Sequence, residues 1–122
     1  MDNWHALVIE DEADSAEVVE RILKFHRINY SISHSAEDAL EAMKQVLPTV
    51  LIVDLALPGM DGWGFLDAVR SDPETAHIPA VAVTAFHSTN VAQQAIQAGF
   101  AAYFPKPIEA TSFVRELERV VS

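Results

Sequence analysis

Short apolar runs alternate with amphipathic stretches five times along this chain, and that rhythm constrains its fold more than any other feature. Residues 50–53 are apolar at every position, the pattern of a strand buried on both faces. Residues 4–9, 79–84 and 101–104 read similarly: short, apolar, and bearing β-branched or aromatic side chains. Residues 30–34 are more polar, which predicts a strand at the sheet edge. Between these runs the apolar positions recur at helical spacing. The first helix is expected over 13–27, with Ala16, Val19, Ile22, Leu23 and His26 inward. A second opens at Ser35, which forms a capping pair with Asp38, and carries Leu40, Met43 and Leu47 before ending near Pro48. A breaker-rich loop with Pro58, Gly59, Gly62 and Gly64 precedes a short third helix, marked by Phe65, Leu66 and Val69 and ended before Pro73. The fourth covers 88–98, with Val91, Ala95 and Ile96 inward and Gly99 as a left-handed terminator. The last, about 110–121, buries Phe113, Leu117, Val120 and Val121.

Five strand–helix units with short connections predict a parallel sheet covered on both faces. A length of 122 residues predicts one domain, spanning 1–122, with room for one proper core. Such α/β sheets bind ligands at the carboxyl ends of their strands, where the strand order reverses. Composition narrows the function. There is no Cys, so disulfides and thiolate metal sites are excluded, which fits a reducing cytoplasm. No apolar run nears the ~20 residues of a membrane span, and the first residues do not read as a signal peptide. The formal charge is −10, and the 8 Lys and Arg are scattered, which argues against direct nucleic-acid binding.

The strand ends carry the chemistry. The first strand runs into Glu10-Asp11-Glu12, the third into Asp54, the fourth ends at Thr84, and the fifth is followed by Lys106-Pro107. In this fold those side chains converge on one rim. Clustered carboxylates repel unless a cation neutralises them or some are protonated. Mg²⁺ suits them, because it takes oxygen ligands and keeps several waters. Asp11 and Asp54 are the expected direct ligands, with Glu10 acting through a bound water. Asp54 is then placed to accept a phosphoryl group as an acyl phosphate. Lys106 would neutralise one phosphoryl oxygen, and Thr84 would hydrogen-bond another.

Nearly the whole chain, from Ala6 to Val121, resembles the receiver domain of two-component response regulators. The matching segments are Val8-Ile9-Glu10-Asp11-Glu12, the run from Val53 to Gly62, Val83-Thr84-Ala85, Ala98-Gly99-Phe100 and Tyr103-Phe104-Pro105-Lys106-Pro107. Each is weak alone, but together, in order and at family spacing, they are specific. The resemblance implies a flavodoxin-like (βα)5 fold with strand order 2-1-3-4-5. It implies that Asp54 is the phosphoacceptor and that Glu10 and Asp11 hold Mg²⁺ with Asp54 and the backbone carbonyl of Ala56. Thr84 and Lys106 match the switch hydroxyl and the family lysine, Tyr103 matches the aromatic switch, and the Lys106–Pro107 bond would be cis. Phosphorylation would reshape the surface of the fourth helix, fifth strand and fifth helix. The implied partners are a histidine kinase or a histidine phosphotransfer protein, docking near 13–16 and 105–108, and a downstream protein or output domain. A phosphorylation-dependent homodimer is also compatible. No output domain follows Ser122, so the chain is expected to be either a stand-alone regulator or part of a longer protein.

Two positions depart from the family's polar pattern: Ala56 and Phe86 stand where polar side chains are common. Neither can hydrogen-bond an attacking water, which predicts slow self-dephosphorylation. The duller readings of single residues are familiar ones. Glu10, Asp11 and Glu12 could be a solvated helix start, Asp54 a turn former, Thr84 a strand residue, Lys106 a loop charge and Tyr103 core. Trp63 is expected to pack over the loop after Asp61-Gly62. His5, His26, His34, His77 and His87 show no metal spacing. Two other functions compete: a degenerate receiver serving only as a binding module, and a phosphatase-like hydrolase with an Asp nucleophile. The hydrolase would need a second acid two residues after the nucleophile, where this chain has Ala56.

Overall fold

The computed structural model describes residues 3–85 and 88–121. In chain order its elements are β1 (His5–Ile9), α1 (Ala13–Phe25), β2 (Asn29–Ser33), α2 (Ala36–Gln45), β3 (Val50–Asp54), α3 (Gly62–Ser71), β4 (Ala80–Thr84), α4 (Thr89–Ala98), β5 (Ala102–Pro105) and α5 (Ala110–Val121). The strands form one parallel sheet in the order β2-β1-β3-β4-β5. This is the predicted flavodoxin-like topology, with the order reversing between β1 and β3. Every residue of β3 and β4 is buried, whereas the edge strand β2 has exposed and half-buried positions.

Strand periodicity divides the core in two. Leu7, Ile9, Leu51 and Val53 point to one side, where they meet Met43 of α2, Phe65, Leu66 and Val69 of α3 and Ala95 of α4. Ala6, Val8, Val50 and Ile52 point to the other, against Val19 and Leu23 of α1 and Phe113 and Leu117 of α5. Both faces of the sheet must therefore be apolar, which is why its central strands lack polar alternation.

The helix ends follow from capping chemistry. The Ser35 hydroxyl accepts the Asp38 N–H at 3.0 Å, and the Ser88 hydroxyl accepts the Val91 N–H at 3.1 Å. Gly99 is left-handed, with φ 117°, and the Gly99 and Phe100 N–H groups close the last carbonyls of α4. The same closure ends α1, but there Arg27 holds the left-handed position with φ 58°. α1 therefore stops before His26, which lies half-buried past the helix instead of on its inward stripe. Two more expectations are corrected. Leu47 lies beyond the end of α2 and is 47% exposed, and Ile96 is 52% exposed. Ala95 alone is buried in α4, and a side chain one residue on is rotated by about 100°. The breaker pattern puts Gly62 and Gly64 in a loop; both lie in α3, because Asp61 caps that helix by accepting the Gly64 N–H at 2.9 Å.

Candidate functional site

β1, β3 and β4 deliver Glu10, Asp54 and Thr84 to the carboxyl edge of the sheet, and the turn after β5 adds Lys106. Glu10, Asp54 and Thr84 are all buried, although charged groups are rarely so without partners. Lys106 supplies one. Its Nζ donates to Glu10 Oε1 at 2.5 Å and to Asp54 Oδ2 at 3.3 Å, across sequence separations of 96 and 52 residues. Asp54 Oδ1 accepts the Ala56 N–H at 3.0 Å. The Lys106 N–H donates to the Thr84 carbonyl at 2.9 Å, and the Lys106–Pro107 bond is cis. Carboxylate oxygens of Glu10, Asp11 and Asp54 lie within 4.8 Å of one another, and Asp11 is exposed.

The electrostatics follow from that crowding. Burial raises the Glu10 carboxyl from its ordinary 4.5 to about 7, with help from its hydrogen bond and charge contact to Asp54 and against the pull of Lys106. Burial also pulls the Lys106 ammonium down, but Glu10 and Asp54 outweigh it, so Lys106 holds its proton more tightly than a free lysine. The Glu10 shift follows chiefly from burial, and the Lys106 shift from the negative charge around it. With all three carboxylates ionised, one ammonium leaves two negative charges, which a divalent cation balances. The all-oxygen donor set, open at Asp11, suits Mg²⁺ better than a softer metal.

Three features surround this centre. Tyr103 is half-buried on β5, opposite Ala82, and packs on the same side of the sheet as α2, α3 and α4. A cavity of about 250 Å³ lies beside Thr84, lined also by Leu55, Ala56, Trp63, Val91 and Gln94. Trp63 belongs to α3 and stands edge-on to Phe100, with centroids 6.0 Å apart. It helps to line this cavity, together with Leu55 and Ala56 of the loop before α3. Phe86 and His87 lie outside the described residues.

The role of Gly62 escaped the sequence reading. A Cβ there would come within 2.6 Å of the Asp54 carbonyl oxygen and 2.7 Å of Leu55 Cα. The start of α3 thus presses directly on the backbone that presents Asp54. The Gly62 N–H donates to the Leu55 carbonyl at 3.2 Å. Only the loss of a side chain permits that approach, and the signal was a glycine eight residues after a strand-end aspartate. Glu37 of α2 holds the same loop from the other side, accepting the Met60 N–H at 3.3 Å.

Comparison with known proteins places this architecture. The fold matches that of the Vibrio cholerae chemotaxis protein CheY4, with a TM-score of 0.87 over 96% of this chain and 98% of that one, at 22% identity. A protein of Chloroflexus aurantiacus named as a response regulator superposes with a TM-score of 0.92 at 29% identity, each chain covered to 97%. In sequence, residues 6–118 match the response regulator receiver domain, and the chain belongs to that family. It is 30% identical over 115 residues to the DNA-binding transcriptional regulator NtrC of Escherichia coli K12, and 29% identical over 103 residues to the response regulator PleD of Caulobacter vibrioides. Those matches cover 94% and 84% of this chain but only 24% and 23% of NtrC and PleD. A 14.6 kDa protein of Leptolyngbya boryana is 29% identical over 93% of this chain and 86% of its own length.

Proposed function

We propose that this receiver domain accepts a phosphoryl group from phosphohistidine onto Asp54 and relays the change to a partner through its α4-β5-α5 surface. The observation that carries this reading is Lys106 bridging Glu10 and Asp54 at one sheet edge, beside Thr84. In the transfer, an Asp54 carboxylate oxygen bonds to phosphorus as the phosphorus–nitrogen bond breaks. The imidazole leaves with that electron pair and takes up one proton. Asp54 is pre-aligned, because the Ala56 N–H holds one oxygen and Lys106 the other. Lys106 then stabilises charge on the transferred group, and the Thr84 hydroxyl hydrogen-bonds a second oxygen. Glu10, Asp11, Asp54 and the Ala56 carbonyl would hold Mg²⁺, which supplies the positive charge that the site lacks. Once Thr84 is drawn toward the phosphoryl group, Tyr103 would turn inward on the face that carries the cavity beside Thr84. Catalysis by the domain itself extends to its own phosphorylation and slow dephosphorylation. A histidine kinase or phosphotransfer protein is the donor in this reading.

The test is to incubate the protein with acetyl phosphate, with and without Mg²⁺, and weigh it intact. A receiver gains one phosphoryl group only with Mg²⁺. Turnover without accumulation would favour a hydrolase, and no reaction would favour a degenerate binding module. The phosphorylated form should persist well beyond a minute, because Ala56 cannot orient water and Phe86 is apolar. The Ala56→Asn, Phe86→Glu double variant should lose the group faster, measured by mass against time.

A further inference from the structure

Leu47 departs from the burial of its helical stripe. It is 47% exposed and the adjacent Val46 59%, just past the end of α2. With Leu40, Met43 and Ala68, Leu47 lines a groove of about 450 Å³ between α2 and the C-terminal end of α3. That volume lies within the range of ordinary binding clefts. The rim is acidic: Glu37 and Glu41 on one wall, Asp72 and Glu74 on the other. Among the described residues Lys44 is the one cation lining it, and Glu41 already holds it at 2.9 Å. The second wall is well fixed. The buried Thr75 hydroxyl donates to the Val69 carbonyl at 2.7 Å, and the Glu74 N–H donates to Asp72 Oδ1 at 2.9 Å. None of the lining residues belongs to the phosphoacceptor centre.

We propose that this groove docks an amphipathic helix of a partner protein, with Lys or Arg flanking its apolar stripe. An apolar floor between acidic walls is the complement of such a helix. Leucine or methionine anchors would fill the space over Leu40, Met43 and Leu47, and the flanking cations would meet Glu37, Glu41, Asp72 and Glu74. A second copy of this chain is a poor occupant, because each copy carries a formal charge of −10 and the acidic rims would repel it.

The test titrates the full unphosphorylated chain with a synthetic helical peptide carrying Leu at i, i+3, i+4 and i+7 and Lys beside them. A peptide of the same composition in shuffled order is the control. The ordered peptide should bind at least about tenfold more tightly, read by fluorescence anisotropy. The protein's amide chemical shifts should move in α2, α3 and the segments 46–49 and 72–75. The Glu41→Lys, Glu74→Lys pair should weaken binding at least about fivefold. The Glu17→Lys, Glu118→Lys pair, of equal net charge but on α1 and α5, should not. Equal binding of the two peptides, shifts spread over the whole acidic surface, or equal weakening by the two charge-reversed pairs would overturn the proposal. Because phosphorylation plays no part in this test, its failure would leave the Asp54 reading standing.

Discussion

Replacing Gly62 by alanine should destabilise this domain, while the same change at Gly64, two residues on, should not. Both glycines lie in the first turn of α3, where alanine is intrinsically favoured by about 0.5–1 kcal/mol. At Gly64 the added Cβ meets Met60 Cγ at 3.2 Å and Asp61 Oδ1 at 3.5 Å, and the nearer contact is a flexible side chain that can give way. At Gly62 the new atom meets backbone: the Asp54 carbonyl oxygen at 2.6 Å and Leu55 Cα at 2.7 Å. Neither can move without displacing α3 or the end of β3. Overpacking costs about 1–3 kcal/mol, and two backbone contacts under 3 Å put Gly62 in the upper part of that range, about 2–3 kcal/mol, a net loss of about 1–2.5 kcal/mol after the propensity gain. At roughly 4 °C per kcal/mol for a chain of this size, Gly62→Ala should lower Tm by about 4–10 °C. Gly64→Ala should lie within about 3 °C of wild type, on the stable side. Thermal and urea melts followed by circular dichroism measure both. The strain falls on the backbone around Asp54, so Gly62→Ala should also slow phosphorylation. A Gly62→Ala protein that melts with wild type would refute the close approach.

Two further outcomes follow from the charges at the sheet edge. Glu10, raised to about 7 chiefly by burial, binds its proton more tightly folded than unfolded. Metal-free stability should therefore fall as pH rises from about 4.5 to about 7, by at most about 3 kcal/mol, in urea titrations run in chelator. Mg²⁺ must displace that proton, so its apparent affinity should drop by up to about tenfold per pH unit below pH 7, measured by calorimetry. A pH-independent affinity between 5 and 7 would contradict the placement of Glu10. Lys106→Met removes the cation that bridges Glu10 and Asp54. It should tighten Mg²⁺ binding several-fold, because the site becomes more negative, yet lower the rate of phosphorylation by about 10²-fold or more, as loss of a transition-state charge partner does. Weaker Mg²⁺ binding in this variant would oppose a charge balance of three carboxylates against one ammonium.

Much of the fold was legible in the sequence because local chemistry and long-range packing agreed. The apolar run at 50–53, the Ser35 cap and the left-handed Gly99 each have a local cause and needed no tertiary knowledge. The gathering of Glu10, Asp54 and Lys106 followed from topology, since parallel strands end on the same side. Periodicity failed where an element ended early. Leu47 continues the spacing of Leu40 and Met43, but α2 has stopped at Gln45, so the side chain turns outward. Ile96 failed differently: α4 rests on the sheet along so narrow a strip that Ala95 alone is buried. Gly62 and Gly64 looked like loop residues because glycine is a poor helix former; the strong Asp61 cap and the backbone contact at Gly62 outweigh that preference. The cavity walled by Trp63 depends on three elements at once, which no local pattern encodes.

The most direct measurement is to locate the phosphoryl group itself. After reaction with acetyl phosphate and Mg²⁺, borohydride reduces an aspartyl phosphate to homoserine, and peptide mass mapping then finds the altered residue. The modification should fall on Asp54 alone and vanish in the Asp54→Asn protein. Label at another residue, or undiminished label in Asp54→Asn, would contradict phosphoryl transfer to the aspartate at the centre of the sheet.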